Sequence, residues 1–231
     1  MSGTSDEAKT LRWIDGVKEL DAPAIRDISA RCHWRWYRPD DRIVSQDDAT
    51  NDVFFIVQGR VRITTYSTVG KEVSFREMGS GQIFGELAAI DGLPRSASVV
   101  ALSDSLLASM SAKLYWEMLQ RYPPLAASCL KRLAYLVRAL SDRVVEFATM
   151  PVRDRVCAEL LRLATRDKSD AWQIHPIPTH AELANRVATH REAVTRVLHG
   201  LESGGLIARE GKKVILLDRD RLHRTVLAEQ D

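Results

Sequence analysis

PTHAELANRVATHREAVTRVLHGLESGGLIAREGKKVILL, residues 178–217, decides how the chain is read. Thr179 and Glu182 stand three apart ahead of an apolar run. At that spacing a hydroxyl and a carboxylate satisfy each other's backbone N–H groups at a helix start. A short helix through Leu183 and Val187 follows, then a brief turn at Ala188-Thr189, then a second helix, HREAVTRVLHGLES. Its apolar positions, Ala193, Val194, Val197, Leu198 and Leu201, share one face. The other face offers His190, Arg191, Glu192, Thr195 and Arg196. Gly204-Gly205 stops the helix, and LIAREGKKVILL reads as a β-hairpin turning near Glu210-Gly211. Helix, tight turn, helix and hairpin form a winged helix-turn-helix.

The polar face suits a DNA groove. Arginine can donate twice to guanine, and glutamate can accept from cytosine. Both stand at the start of the second helix, where side chains reach base edges. Lys212 and Lys213 on the wing suit phosphate. Thr179, His180 and Thr189, at or beside the helix starts, complete the candidate DNA-facing set. The competing reading is a solvated face on which Glu192 and Arg196 pair at i,i+4.

Upstream, Pro151 interrupts the helical pattern and predicts a hinge. Helical sequence resumes in RDRVCAELLRLA, and a polar break follows from Thr165 to Asp170. Residues 112–150 are rich in helix formers, and Pro123-Pro124 starts a long segment. Leu130, Leu133, Val137, Leu140, Val144 and Phe147 recur at spacings of 3, 4, 3, 4 and 3, a heptad seam that predicts self-association. An amphipathic helix packed on its own domain is the alternative, but a strict seam is narrower than that task needs. From Trp34 to Ser111, runs such as DVFFIVQ, RVRITTY and KEVSFRE alternate with glycines, as in a compact β-barrel or roll. Before them, helices are expected near residues 7–16 and 22–31, the second capped by Asp21 ahead of Ala22-Pro23, after a disordered tail. The fold class is α+β, with a β-roll and N-terminal helices in 1–111, a dimerisation helix in 112–150 and the winged module in 151–231.

The totals exclude other classes. A net charge of +2 over 231 residues names no partner, so any nucleic-acid claim rests on local pattern. The three cysteines lie far apart, without metal-ligand spacing, which fits a reducing cytoplasm. No apolar run predicts a membrane helix, and the polar N-terminus lacks a signal peptide's apolar region. No nucleophile stands beside a base, so an enzyme is not expected.

A second stretch, GQIFGELAAIDGLPRSASVV (residues 81–100), carries Glu86, Arg95 and Ser96 in mostly small, apolar surroundings. With the helix-turn-helix, it makes the chain resemble the bacterial cyclic AMP receptor protein family over roughly residues 10–220. The resemblance implies a phosphate-binding cassette. Gly85, Glu86 and Leu87 would start a short helix whose N–H groups favour an anion. Arg95 would pair with the cyclic phosphate, Ser96 and Ala97 would lie alongside it, and Glu86 would accept the ribose 2′-OH. An internal Glu86–Arg95 salt bridge with no ligand is the alternative. The resemblance also implies that Leu136, Leu140 and Ser141 lie near the base, with Ser141 reaching the neighbouring subunit's nucleotide. Cyclic AMP-specific members carry a Thr-Ser pair where this chain has Leu140-Ser141, so cyclic GMP is a further expected ligand. Arg191, Glu192 and Arg196 match the family's base-reading positions, implying TGTGA-like inverted repeats bound by a homodimer that works with RNA polymerase. A single cysteine near the N-terminus argues against an iron–sulfur cluster, and His33 alone is a weak haem ligand. The other readings are a cyclic-nucleotide-binding subunit acting on a protein partner, and a DNA binder that needs no ligand.

Overall fold

The computed structural model describes residues 10–66, 72–167 and 170–227. The chain divides into two compact units, residues 1–137 and 138–231.

The first unit is built on α1 (Ala22–Ala30), β1 (His33–Tyr37), β2 (Arg42–Val44), β3 (Val53–Gln58), β4 (Arg60–Tyr66), β5 (Glu72–Gly79) and β6 (Ile83–Phe84). It continues through α2 (Glu86–Asp91), β7 (Ser98–Ala101), β8 (Ser105–Met110), α3 (Ala112–Arg121) and the start of α4 (Pro123–Thr149). Two antiparallel sheets face each other, in the orders β1-β8-β3-β6 and β2-β7-β4-β5. The run VFFIV is apolar at every position because β3 is covered on both faces. With a period of two, Phe54 and Ile56 enter the core between the sheets with Val61, Val99 and Leu107. Val53 and Phe55 turn the other way, toward Ile28, Met110, Tyr115 and Met118 under the helices. Asp21 caps α1 as expected, and Ser111 caps α3.

Of the helix expected near residues 7–16, the described residues 10–16 carry no helix. Residues 7–9 and the tail lie outside the described residues, and residues 12–19 form successive turns. Gly16, at φ +82°, leaves the right-handed helical region, which interrupts the pattern. Leu11, Ile14 and Val17 are nevertheless fully buried, so these turns still contribute side chains to the core.

The second unit holds the end of α4, then α5 (Val152–Leu163), β9 (Thr165–Arg166), β10 (Trp172–Ile174), α6 (His180–Arg186) and α7 (Arg191–Ser203). The chain ends through β11 (Ile207–Glu210), β12 (Lys213–Leu216) and α8 (Arg219–Leu227). Pro151 separates α4 from α5. Leu160, Leu183, Val187, Val194, Leu198 and Val214 form its core. The hairpin of β11 and β12 belongs to a four-stranded sheet, β11-β12-β10-β9. The polar break after residue 164 therefore carries a strand at Thr165–Arg166, paired with Trp172 and Gln173. The guanidinium carbons of Arg166 and Arg219 lie 5.1 and 4.5 Å from the Trp172 ring, contacts that tie β9 and α8 to β10. Among the described residues no helix is long and apolar enough to cross a membrane.

Candidate ligand pocket and nucleic-acid interface

A cavity of about 170 Å³ opens in the first unit, lined by Gly85, Glu86, Leu87, Arg95, Ser96, Ala97 and Leu136, among others. The expected cassette residues thus share one concavity. Leu140 and Ser141 do not line it. They sit in the part of α4 that belongs to the second unit, and Leu140 is 65% exposed.

Arg95 is almost fully buried. Its Nε donates to Thr50 Oγ1 at 3.0 Å, and its terminal nitrogens donate to the carbonyls of Gly85 at 3.1 Å and Asp52 at 2.8 Å. These acceptors are all neutral. Among the described residues no carboxylate lies within ion-pairing distance of the guanidinium. Burial pushes its pKa below the usual range, and the more distant charges of Asp52, Asp48 and Glu86 only partly offset this. An arginine still keeps its proton. The site therefore holds a buried cation met by neutral hydrogen-bond acceptors and not by an ion pair. The seat depends on Gly85, which has φ +83°. A Cβ there would stand 2.6 Å from an Arg95 terminal nitrogen and 2.8 Å from the Asp52 carbonyl oxygen.

Glu86, also buried, pairs with Arg132 of α4, and Arg132 additionally donates to the Ile83 carbonyl. The internal Glu86–Arg95 salt bridge weighed as an alternative is not formed. Arg132 was absent from the expected set. It stands one helical turn before Leu136, so i,i+4 spacing from that expected pocket residue would have placed it on the same face. Val44, Ile63, Arg76, Met78, Phe84 and Val99 also line the cavity. They supply apolar wall and one further cation.

In the second unit the capping box is complete. Thr179 N–H donates to Glu182 Oε2 at 2.7 Å, and Glu182 N–H donates to Thr179 Oγ1 at 3.2 Å. The turn between α6 and α7 passes through Ala188 at φ +50°, and Thr189 N–H donates to Ala184 O at 2.9 Å. His190 is the extended residue before α7, with no side-chain capping bond. From α7, Val194, Leu198 and Leu201 enter the core, leaving Arg191, Glu192, Thr195 and Arg196 exposed. No ion pair joins Glu192 to Arg196 among the described residues, so the solvated-pair reading has no support. Lys212 lies in the hairpin turn, Gly211-Lys212, and Lys213 opens β12. His180 Nδ1 lies 2.7 Å from Thr195 Oγ1, and its Nε2 lies 3.4 Å from a terminal nitrogen of Arg209, a residue not anticipated.

A charged cluster fastens the end of α4 to α5 and α6. Arg162 grips Glu146 at 2.6 and 3.1 Å. The buried Glu159 accepts from Arg162 at 3.1 Å on one oxygen, which also lies 3.2 Å from Arg143 as an ion pair, and from Arg186 at 3.1 Å on the other.

A basic-and-acidic pocket in a β-roll and a winged helix-turn-helix define a ligand-binding transcription regulator. Comparison with known proteins agrees. The cyclic nucleotide-binding domain family matches residues 34–122, and the Crp-like helix-turn-helix domain family matches residues 154–225. The chain is 31% identical to the cyclic AMP receptor protein of Thermus thermophilus over 187 residues, covering 80% of this chain and 85% of that one. It is 27% identical to the cAMP-activated global transcriptional regulator CRP of Haemophilus influenzae over 199 residues, covering 84% and 88%. The c-di-GMP responsive global regulator CLP of Xanthomonas campestris shares the fold, with a TM-score of 0.72 at 23% identity over 85% of this chain and 99% of that one. The chain belongs to the cyclic AMP receptor protein family of transcription regulators.

Proposed function

We propose that the protein is a homodimeric, cyclic-nucleotide-gated regulator whose effector is cyclic AMP. The buried Arg95 cation carries this reading. It has only neutral acceptors around it and lies beside the N-terminal turn of α2. A singly charged cyclic phosphate there would take the remaining guanidinium donors, the N–H groups of α2 and the Ser96 hydroxyl. Glu86 would then accept the ribose 2′-OH. On α4, Leu130, Val137, Leu140 and Val144 are each more than 60% exposed in the single chain, an apolar seam that a second copy would cover. In that pairing Ser141 of the partner subunit would reach the nucleotide, and the ligand would favour one subunit arrangement through its differential affinity. Thr179, His180, Thr189, His190, Arg191, Glu192, Thr195, Arg196, Lys212 and Lys213 would face DNA. Arg191, Glu192 and Arg196 would read TGTGA-like half-sites about 34 Å apart. The regulator would act in the cytoplasm together with RNA polymerase. Cyclic GMP is a second ligand, since Leu140 offers no hydrogen bond to select adenine.

The test is titration of cyclic AMP and cyclic GMP, by calorimetry and by gel retardation of a TGTGA palindrome. The wild type should bind cyclic AMP and then retard the palindrome, and Arg95→Ala should do neither while staying folded. Indifference of the wild type to every cyclic mononucleotide in both assays would leave only a ligand-independent DNA binder.

A further inference from the structure

We infer that Arg209, on the first strand of the wing, is a DNA-backbone contact, and that His180 is the residue that positions it. The proposal rests on the DNA-binding reading and adds two roles to it. Three elements meet at the His180 ring: the start of α6, the exposed face of α7 and strand β11. The geometry admits one arrangement of protons. A guanidinium has no acceptor, so Arg209 donates to Nε2 over 3.4 Å. Nδ1 then carries the ring proton and donates to Thr195 Oγ1 at 2.7 Å. Thr195 in turn donates its hydroxyl proton to the Arg191 carbonyl at 3.0 Å. One neutral tautomer satisfies every member, from the wing to the first turn of α7. Burial, with the charges of Arg209 and Arg191, lowers the ring's pKa and favours that neutral form.

The relay anchors one edge of the wing to the helix that carries Arg191 and Arg196. Arg209 is exposed, and among the described residues no carboxylate lies within ion-pairing distance of it. A cation held at the rim of a base-reading face, with no acid of its own, is matched by phosphate. An exposed arginine ordinarily loses side-chain freedom when it makes such a contact. Pinning it beforehand removes part of that loss. A lysine would serve less well, because its flexible ammonium lacks the planar, preorganised fork of the guanidinium.

The experiment is a double-mutant cycle on affinity for the TGTGA palindrome and for a scrambled duplex, with cyclic AMP in excess and over a range of salt. Arg209→Ala should weaken both duplexes by a similar factor and reduce the slope of log K against log salt by about 1.8, one phosphate's share from each subunit of the dimer. His180→Leu should weaken binding about threefold in the wild type and by a clearly smaller factor in Arg209→Ala, any remainder being His180's own contact with DNA. His180→Gln, whose amide can both accept from Arg209 and donate to Thr195, should restore most of the loss. The proposal is overturned if His180→Leu costs the same factor in both backgrounds, or if Arg209→Ala leaves the salt slope unaltered. A wild type that binds neither duplex would instead remove the DNA-binding reading itself, and this proposal with it.

Discussion

Glu86 is paired with Arg132 and not with Arg95, although both arginines line the same cavity. The acid of the pocket is thus neutralised from α4, while the base is held by carbonyls and a hydroxyl. The two charges of the cassette are held by different partners and do not pair with each other.

The pair fixes a stability prediction. Removing one member of a buried pair strands the other's charge, which costs about 3 kcal/mol or more. Arg132→Leu should lower the unfolding free energy of the first unit by about that amount in urea titration. Adding Glu86→Gln should recover much of it, since a neutral amide is cheaper to leave in place. No recovery in the double variant would mean that the Arg132 stem, and not its charge, supplies the stability.

Gly85 and Gly92 provide a matched comparison. Both have positive φ, +83° and +70°, but only Gly85 has no room for a Cβ; nothing lies within 4 Å of the position a Cβ would take on Gly92. Gly92→Ala should cost about 1 kcal/mol of backbone strain. Gly85→Ala should cost about 2–3 kcal/mol and also displace Arg95, so calorimetry should show cyclic AMP affinity lost in that variant alone. Equal effects at the two glycines would show that Arg95 does not rely on this close approach.

Much of this architecture is legible in the residues, for local reasons. Thr179 and Glu182 signal their helix because both partners of the cap lie within one turn, and the heptad seam is readable because its period is carried by side chains on a single helix. Strands β9 and β10 were missed because two or three residues carry no period, and α8 because its mostly polar sequence, RDRLHRTVL, is placed by Leu222 entering a core built elsewhere. The partner of Glu86 was beyond local reading: residues 86 and 132 meet only once the roll and α4 have packed. The turns over residues 12–19 were likewise not read, although Leu11, Ile14 and Val17 are buried there.

The turn at Ala188 carries a stabilising prediction. A non-glycine residue at φ +50° bears a left-handed strain of about 1 kcal/mol. Glycine adds freedom to the unfolded chain, which offsets part of the gain. Ala188→Gly should therefore raise the stability of the second unit by a few tenths of a kcal/mol, read as a small rise in melting temperature. A fall would mean that the Ala188 methyl makes packing contacts that outweigh the strain.

Acid should loosen the end of α4 from α5. Burial alone would raise the Glu146 pKa, but the hydrogen bonds and charges of Arg162 and Arg143 outweigh it and hold the carboxyl below its ordinary 4.5. A group depressed in the folded state adds stability that is fully present above its unfolded pKa and is lost as pH falls through the folded one. Melting temperature should hold from neutral pH to about the ordinary value and then decline, with a shallower decline in Glu146→Gln. An identical acid profile in that variant would assign the transition to other carboxylates.

Leu140 tests how the proposed effector is selected. It is 65% exposed in the single chain, on the seam that a second copy would cover, where a cyclic nucleotide's base would meet an apolar wall. Such a wall rejects analogues weakly, whereas a site built on a hydrogen bond rejects a ligand that cannot complete it. Leu140→Thr would supply that bond, worth about 1 kcal/mol net, and should widen the preference for cyclic AMP over cyclic GMP by about five- to tenfold. Calorimetry of both nucleotides on both proteins measures the change directly. Cyclic GMP binding that is undetectable in the wild type, or a ratio that threonine leaves unmoved, would show that selectivity is set elsewhere in the pocket.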